Sequence, residues 1–148
     1  MTVRIERATP DDAAALAPLF DAYRRFFTGR DDLTESRRFL AQRLTQGDGV
    51  VFIARCEEIP CGFTQLYPLW SSWHCKRMWF LSDLYVAEEK RRYGIGRRLV
   101  EMAKTFAAET EASSVVVEVP RQEPRLQTFY AALGFHEDDL FTLARYQP

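Results

Sequence analysis

Apolar residues recur along this chain with two spacings, one typical of strands and one typical of helices. Residues 2–8 alternate between apolar and polar, as a half-buried strand does. After Thr9 and Pro10, apolar residues from Leu16 to Phe27 recur at helical spacing. The two patterns predict strands over residues 2–8, 50–55, 61–67, 77–86 and 112–119, and helices that begin near residues 9, 34, 94 and 124.

The order of these elements predicts an α+β fold. A short turn with Pro60 separates the second and third predicted strands, which favours an antiparallel hairpin. A helix joins the fourth predicted strand to the fifth, and a crossover of this length favours parallel pairing.

Turn and cap residues predict where several elements end. Thr34 is the predicted cap of the second helix, which ends near Gly47, and Gly134 ends the last helix. A final hairpin from Phe135 is expected to close the sheet. The length of 148 residues suits a single domain, 1–148.

The fourth predicted strand carries an unusual charge. Strict alternation places Trp79, Leu81, Asp83 and Tyr85 on one face, and both faces are largely apolar. The strand is therefore expected to be central and covered on both sides. A carboxylate in such a strand needs a partner or a function.

A break is predicted before that strand, over residues 68–74 (PLWSSWH). Trp70 and Trp73 can stack on a substrate or cover the sheet, and packing is the favoured interpretation because aromatic residues dominate cores.

Composition excludes some classes of protein. The net charge of −1 argues against bulk nucleic-acid binding. No run is apolar enough for a membrane span and no signal-peptide pattern is present, so a cytoplasmic protein without a membrane partner is expected. Three cysteines, an odd number, indicate a reducing compartment rather than a disulfide framework. Cys56, Cys61 and Cys75 fit no standard zinc spacing, so we interpret them as thiols and expect no metal.

A glycine turn lies between the fourth strand and the third helix. Gly94 and Gly96 stand where the first helical N–H groups lack partners and the helix dipole is positive. Lys90, Arg91, Arg92, Arg97 and Arg98 surround this turn. It therefore predicts a phosphate or diphosphate site. The alternative is a charged, solvated helix entrance, but basic residues there oppose the dipole.

The motif at this turn resembles the coenzyme A signature of the GNAT superfamily of N-acetyltransferases. Dinucleotide and nucleoside-triphosphate loops need glycine patterns that are absent here. Residues 91–96 (RRYGIG) instead match [Q/R]-x-x-G-x-[G/A], after a strand that ends L-x-V. Residues 130–135 (YAALGF) match the family's Y-x-x-x-G-F. FLSDLYV with RRYGIG also looks like the diamine and polyamine branch, and V-E-V at 117–119 looks like the ribosomal-protein alanine acetyltransferases.

The resemblance implies a fold and a cosubstrate. The fold is a mixed sheet of six to seven strands with four helices, whose parallel fourth and fifth strands splay around acetyl-CoA. The implied cofactor-binding residues are Leu84, Tyr85, Val86, Arg91, Arg92, Tyr93, Gly94, Ile95, Gly96, Arg97 and Glu123. Glu123, or Gln122 if the register slips by one, stands where the family usually has Asn.

Acetyl transfer to an amine needs a base and an acid. Aliphatic amines are mostly protonated at neutral pH, so a base must remove a proton before or during attack. Glu118 is the first candidate and Asp83 the second, and Asp83 can equally hold a cationic acceptor. A salt bridge to Arg121 is the structural alternative for Glu118. The resemblance assigns the acid to Tyr130, which also fits a core tyrosine.

The acceptor side is less specific. The resemblance implies that residues 26–33 border the acceptor, and we predict substrate contacts at Asp83, Trp70 and Phe27. The predicted function is transfer of acetyl from acetyl-CoA to a small primary amine, by direct attack in a ternary complex. The alternatives are a protein N-terminus or lysine as acceptor, and a non-catalytic acetyl-CoA sensor. Dimers are common in this family, so a homodimer is also compatible.

Overall fold

The computed structural model describes all residues, 1–148. Met1–Glu118 form one compact unit, and Val119–Pro148 form a second, smaller one. The helices and strands of the first unit are β1 (Val3–Arg7), α1 (Ala13–Thr28), α2 (Leu33–Gln46), β2 (Val50–Cys56), β3 (Ile59–Ser71), β4 (Lys76–Val86), α3 (Ile95–Glu109) and β5 (Ser114–Val117). The second unit contains α4 (Pro124–Ala132).

The five strands form one sheet in the order β1-β2-β3-β4-β5. The first four pair antiparallel, and β4 pairs with β5 in parallel from Met78 with Ser114 to Leu81 with Val117. This confirms the α+β class, the hairpin, the four helices and the parallel pair. The count of six to seven strands is wrong.

The missing strands were expected after Phe135, where no strand forms. An acidic triplet, residues 137–139, interrupts the alternation, and the Leu140 N–H donates to the Asp138 carboxylate at 3.0 Å. A local side-chain bond of this kind competes with strand pairing. Leu140 and Leu143 are consequently exposed rather than packed on a sheet.

Helices cover both faces of the sheet. Leu16 and Phe20 of α1 pack with Leu40 of α2 and with Ile53 and Phe63 of the sheet in one buried cluster. On the opposite face, the Phe106 ring of α3 contacts Phe52 of β2 and Trp79 of β4 at ring-centroid distances of 5.5 and 4.9 Å. The apolar stripes of the helices and the strand residues thus remove each other from water, which is the main source of stability.

The starts of the first two helices differ from prediction. Thr9 and Pro10 open a short 3-10 turn, and α1 begins only at Ala13. The cap of α2 is Asp32 rather than Thr34, because the Asp32 carboxylate accepts the Glu35 N–H at 3.0 Å. Gly47 and Gly134 have φ of 67° and 93°, which confirms both as left-handed helix ends.

The strand β3 continues where a break was predicted. Residues 68–71 pair with residues 76–79, so the tryptophan-rich segment forms the end of a long hairpin whose turn is Ser72–Cys75. Trp70 is 69% exposed, and the Arg77 guanidinium lies over its ring at 4.2 Å.

A β-bulge in β4 changes which side chains share a face. Gln65 pairs with Asp83 and Leu66 with Leu81, so Ser82 is an extra residue. The placement of Asp83 on the face of Trp79 is therefore wrong. Trp79 packs on α3, whereas Asp83 accepts a hydrogen bond from Tyr23 of α1.

The cysteine interpretation is also corrected. Cys56 and Cys61 form a disulfide across the β2–β3 turn, with Cα atoms 5.8 Å apart, and Cys75 is an exposed thiol. The turn brings the two cysteines within bonding range, which an odd count does not reveal. The cysteine count therefore no longer supports a reducing compartment. No helix is long and apolar enough to cross a membrane.

Candidate active site

The glycine turn forms an open helix N-terminus. Gly94 has φ of 76° and caps α3 without a side chain, and a Cβ there would meet no atom within 4 Å. The first intrahelical bond runs from Arg98 N–H to the Gly94 carbonyl at 3.1 Å. The N–H groups of residues 95–97 precede that bond, no side chain caps them, and the first turn holds no acidic residue. This arrangement fits an anionic ligand.

Arg91 is held in place beside this turn. Its Nε donates to the Val86 carbonyl at 2.9 Å, and its guanidinium lies over the rings of Tyr85 and Phe26 at 5.3 and 5.7 Å. Because Nε is used, the two terminal nitrogens stay available to an anion. Arg92 and Arg97 are exposed, and neither makes an ion pair. The turn therefore has unneutralised positive charge.

The strands β4 and β5 stop pairing several residues before β4 ends, on the side of the glycine turn. Their pairing stops at Leu81 and Val117, while residues 83–86 of β4 pair only with β3. Leu84 and Tyr85 therefore have a backbone edge without a β5 partner, as an extended ligand needs. Val86 was also predicted to bind the ligand, and its carbonyl accepts a hydrogen bond from Arg91 Nε.

Asp83 is an acidic residue on the face of β4 that α1 covers, opposite the face that packs on α3. The Tyr23 hydroxyl donates to its Oδ1 at 2.6 Å. Burial raises the pKa of Asp83, and hydrogen bonds from Tyr23 and Ser82 oppose that rise. Burial, together with the Asp83 carboxylate, raises the pKa of Tyr67 to about 12. Asp83 is thus a half-buried carboxylate with increased proton affinity.

Asp83 lies on the wall of a cavity of about 610 Å³. Two helices and two strands contribute the lining, which is Phe20, Tyr23, Arg24, Glu35, Arg38, Phe39, Gln42, Tyr67, Ser82 and Asp83. Aromatic walls with a few polar groups are typical of small-molecule sites. We call this the Asp83 cavity.

The model of the acetyltransferase (GNAT) family matches residues 16–135. The chain belongs to the GNAT family. An uncharacterized N-acetyltransferase of Bacillus subtilis is 37% identical over 139 residues, 94% of this chain and 93% of the relative. A D-amino-acid N-acetyltransferase of Saccharomyces cerevisiae is 30% identical over 77 residues, 52% of this chain and 48% of that protein. The crystal structure of a probable acetyltransferase superimposes with a TM-score of 0.93 at 38% identity, covering 98% of this chain and 97% of the other.

Family membership establishes the class of reaction. The GNAT protein is an acyl-CoA-dependent N-acetyltransferase, as its sequence predicts. The family uses acetyl-CoA as cosubstrate.

The other predicted residues are placed as follows. Glu118 follows β5 directly and is exposed. In the second unit, Tyr130 is 6% exposed and its ring contacts Phe129 and Phe135 at 5.1 and 5.5 Å. Burial raises the pKa of Tyr130 to about 12. Glu123 caps α4 through its carbonyl, which accepts the N–H groups of Leu126 and Gln127.

Neither Phe27 nor Trp70 lines the Asp83 cavity. Phe27 packs on Tyr23 at a ring-centroid distance of 5.0 Å, and Tyr23 in turn donates a hydrogen bond to Asp83. Sequence reasoning missed Arg38 and Tyr67, and it included Tyr23 only as a member of the apolar pattern between Leu16 and Phe27. The helical spacing of Tyr23 was the available signal, but spacing does not tell a cavity wall from a packed face.

Proposed function

We propose that this GNAT protein transfers the acetyl group of acetyl-CoA to a primary amine of a small molecule that occupies the Asp83 cavity. The single observation that carries the proposal is the half-buried Asp83 carboxylate, hydrogen-bonded to Tyr23, on the wall of a cavity of small-molecule size. The acceptor is of the polyamine, amino acid or aminoglycoside type. The activity named for the yeast relative, acetylation of a D-amino acid, supports a small-molecule acceptor.

The glycine turn is the proposed site for the diphosphate of acetyl-CoA. The uncapped N–H groups of residues 95–97 and the terminal nitrogens of Arg91 supply donors and positive charge there. Arg92, Tyr93 and the glycines complete the turn, and the edge at Leu84 and Tyr85 accommodates an extended chain. When bound, acetyl-CoA supplies an acetyl group activated as a thioester.

In the proposed reaction, Asp83 accepts one proton from the substrate ammonium, which frees the nitrogen lone pair. The nitrogen then bonds to the acetyl carbon as the carbon–sulfur bond breaks. The nitrogen releases its second proton to water, and the leaving thiolate takes one from a general acid, which water then reprotonates. The one proton left over, on Asp83, passes to solvent. Tyr130 stays the prediction for that acid, and its hydroxyl is protonated at neutral pH as that of an ordinary tyrosine is.

Asp83 is a better-supported base than Glu118, which reverses their predicted order. Asp83 faces the cavity, and its raised pKa suits a group that must take a proton near neutral pH. Glu118 is exposed at the end of β5. Glu118 remains the rival, and variants of the two residues distinguish them.

A product assay tests the proposal. The purified protein is incubated with acetyl-CoA and a panel of polyamines, amino acids, aminoglycosides and lysine peptides, and the release of free thiol is followed. We expect amine-dependent release with a small-molecule class, and a loss of that release in Asp83→Asn. Binding of acetyl-CoA by calorimetry without turnover of any amine would favour the sensor alternative. Turnover confined to peptides would favour a protein acceptor.

A further inference from the structure

The charged side chains around the Asp83 cavity do not all have partners. Arg24 pairs with Glu35 at 3.1 Å and donates to the Ser36 hydroxyl at 2.8 Å. Ser36 in turn donates to Asp21 at 2.7 Å. Arg24 and Glu35 therefore neutralise each other within a local network.

Arg38 differs from Arg24. It lines the same cavity, yet its guanidinium makes no hydrogen bond and no ion pair. Two charges of opposite sign thus remain for a ligand, the Asp83 carboxylate and the Arg38 guanidinium. Phe20, Phe39 and Tyr67 contribute aromatic rings to the wall of the same cavity.

We propose that the acceptor is an amine that also carries a carboxylate, with its ammonium at Asp83 and its carboxylate at Arg38. This inference rests on the proposed function and narrows its substrate class. A guanidinium binds a carboxylate through two parallel hydrogen bonds, so Arg38 would recognise this group by its planar geometry as well as by its charge.

The other acceptor types fit this pair of charges less well. A polyamine brings a second ammonium toward Arg38, and like charges repel. A simple monoamine uses Asp83 only and leaves Arg38 without a function. An amino acid satisfies both charges and presents its side chain to the aromatic walls.

The helix α2 provides a matched control. Glu35, Arg38 and Gln42 are three and four residues apart, so they share the helix face that lines the cavity. Arg37 is exposed on α2 and does not line the cavity. Arg37→Gln therefore removes the same charge from the same helix without touching the proposed site.

The test compares substrates that differ only in the carboxylate. Each amino acid is assayed beside its primary amide and its decarboxylated amine, for aliphatic, aromatic and longer amino acids. We expect kcat/KM of the wild-type protein to favour the carboxylate form. In Arg38→Gln this preference falls about tenfold, mostly through KM of the amino acid. In Arg37→Gln it is unchanged, and in Arg38→Glu it shifts toward diamines.

The measured quantity is the change of the preference between protein variants. Amino acids and their amides differ in amine pKa, and this difference cancels when the same substrate pair is compared in two variants. Thermal unfolding of each variant verifies that it folds.

The outcomes separate this inference from the proposed function. Turnover of amines without a carboxylate preference overturns the inference and leaves the proposed function intact. So does a preference that survives in Arg38→Gln. If no amine is acetylated, the proposed function itself fails and the inference with it.

Discussion

The glycine turn and the Asp83 cavity, the two proposed ligand sites, are built in opposite ways. The turn is exposed, comes from one consecutive stretch, and offers backbone N–H groups with several arginines around them. The cavity is walled by side chains from four elements and contains one half-buried carboxylate. The turn therefore suits a group that is the same in every turnover, such as the proposed diphosphate, whereas the cavity suits recognition of an individual acceptor. Loss of one side chain at the turn should accordingly reduce activity less than loss of Asp83 in the cavity.

The largest expected effect is that of Asp83→Asn. The amide keeps the size of the side chain and removes its ability to accept a proton. Because a general base contributes roughly 100-fold or more, kcat should fall by about that factor. Steady-state assays with saturating acetyl-CoA measure it. Glu118→Gln is the matched control, and a larger loss in that variant would transfer the base to Glu118.

Tyr130→Phe tests the acid with the next largest effect. The substitution removes one buried hydroxyl and keeps the ring that packs on Phe129 and Phe135. We expect kcat to fall about tenfold to 100-fold, within the range for a general acid, with little change in the melting temperature. Tyr146→Phe alters an exposed tyrosine and serves as the control. Unchanged turnover in Tyr130→Phe would leave this residue a core tyrosine.

A change at the glycine turn should act on KM instead. Arg91→Ala removes one cation near the open N-terminus, so KM for acetyl-CoA should rise about tenfold while kcat changes little. The effect should shrink at high salt because the site is exposed. Arg37→Ala removes a distant arginine and should change neither constant. An unaltered KM in Arg91→Ala would contradict the diphosphate assignment.

The smallest expected effect is that of Asp83→Asn on stability. This substitution should lower kcat but raise the free energy of unfolding at neutral pH. The folded-state pKa of Asp83 is raised, so the stabilising contribution of its carboxyl is complete below the unfolded pKa, ordinarily 3.8, and is lost as pH rises through the folded value. Asp83→Asn should therefore be more stable than the wild type at neutral pH. Urea unfolding at several pH values should show this advantage disappearing in acid. A constant difference would exclude titration as its cause.

The same contrast explains what the sequence could predict. The turn was predictable because its glycines, arginines and flanking strand are neighbours in the chain. The cavity was not, since Tyr23, Arg38 and Tyr67 approach Asp83 only after folding. Asp83 itself gave a signal, as a charge in an apolar strand. The strand count was wrong because a local hydrogen bond from the Leu140 N–H to Asp138 competes with the strand pairing that the alternation predicted. The disulfide was missed because it depends on the geometry of one turn.

Ser82 has no proposed role in the chemistry, yet the orientation of β4 depends on it. Side chains of a regular strand switch sides with every residue, so Asp83 would share the face of Leu81 and point toward α3 if β4 had no bulge. The extra residue at Ser82 is what turns this carboxylate toward α1. A further residue inserted between Leu81 and Asp83 would upset this arrangement, whereas the Ser72–Cys75 turn lies outside the paired residues and should tolerate a change of length.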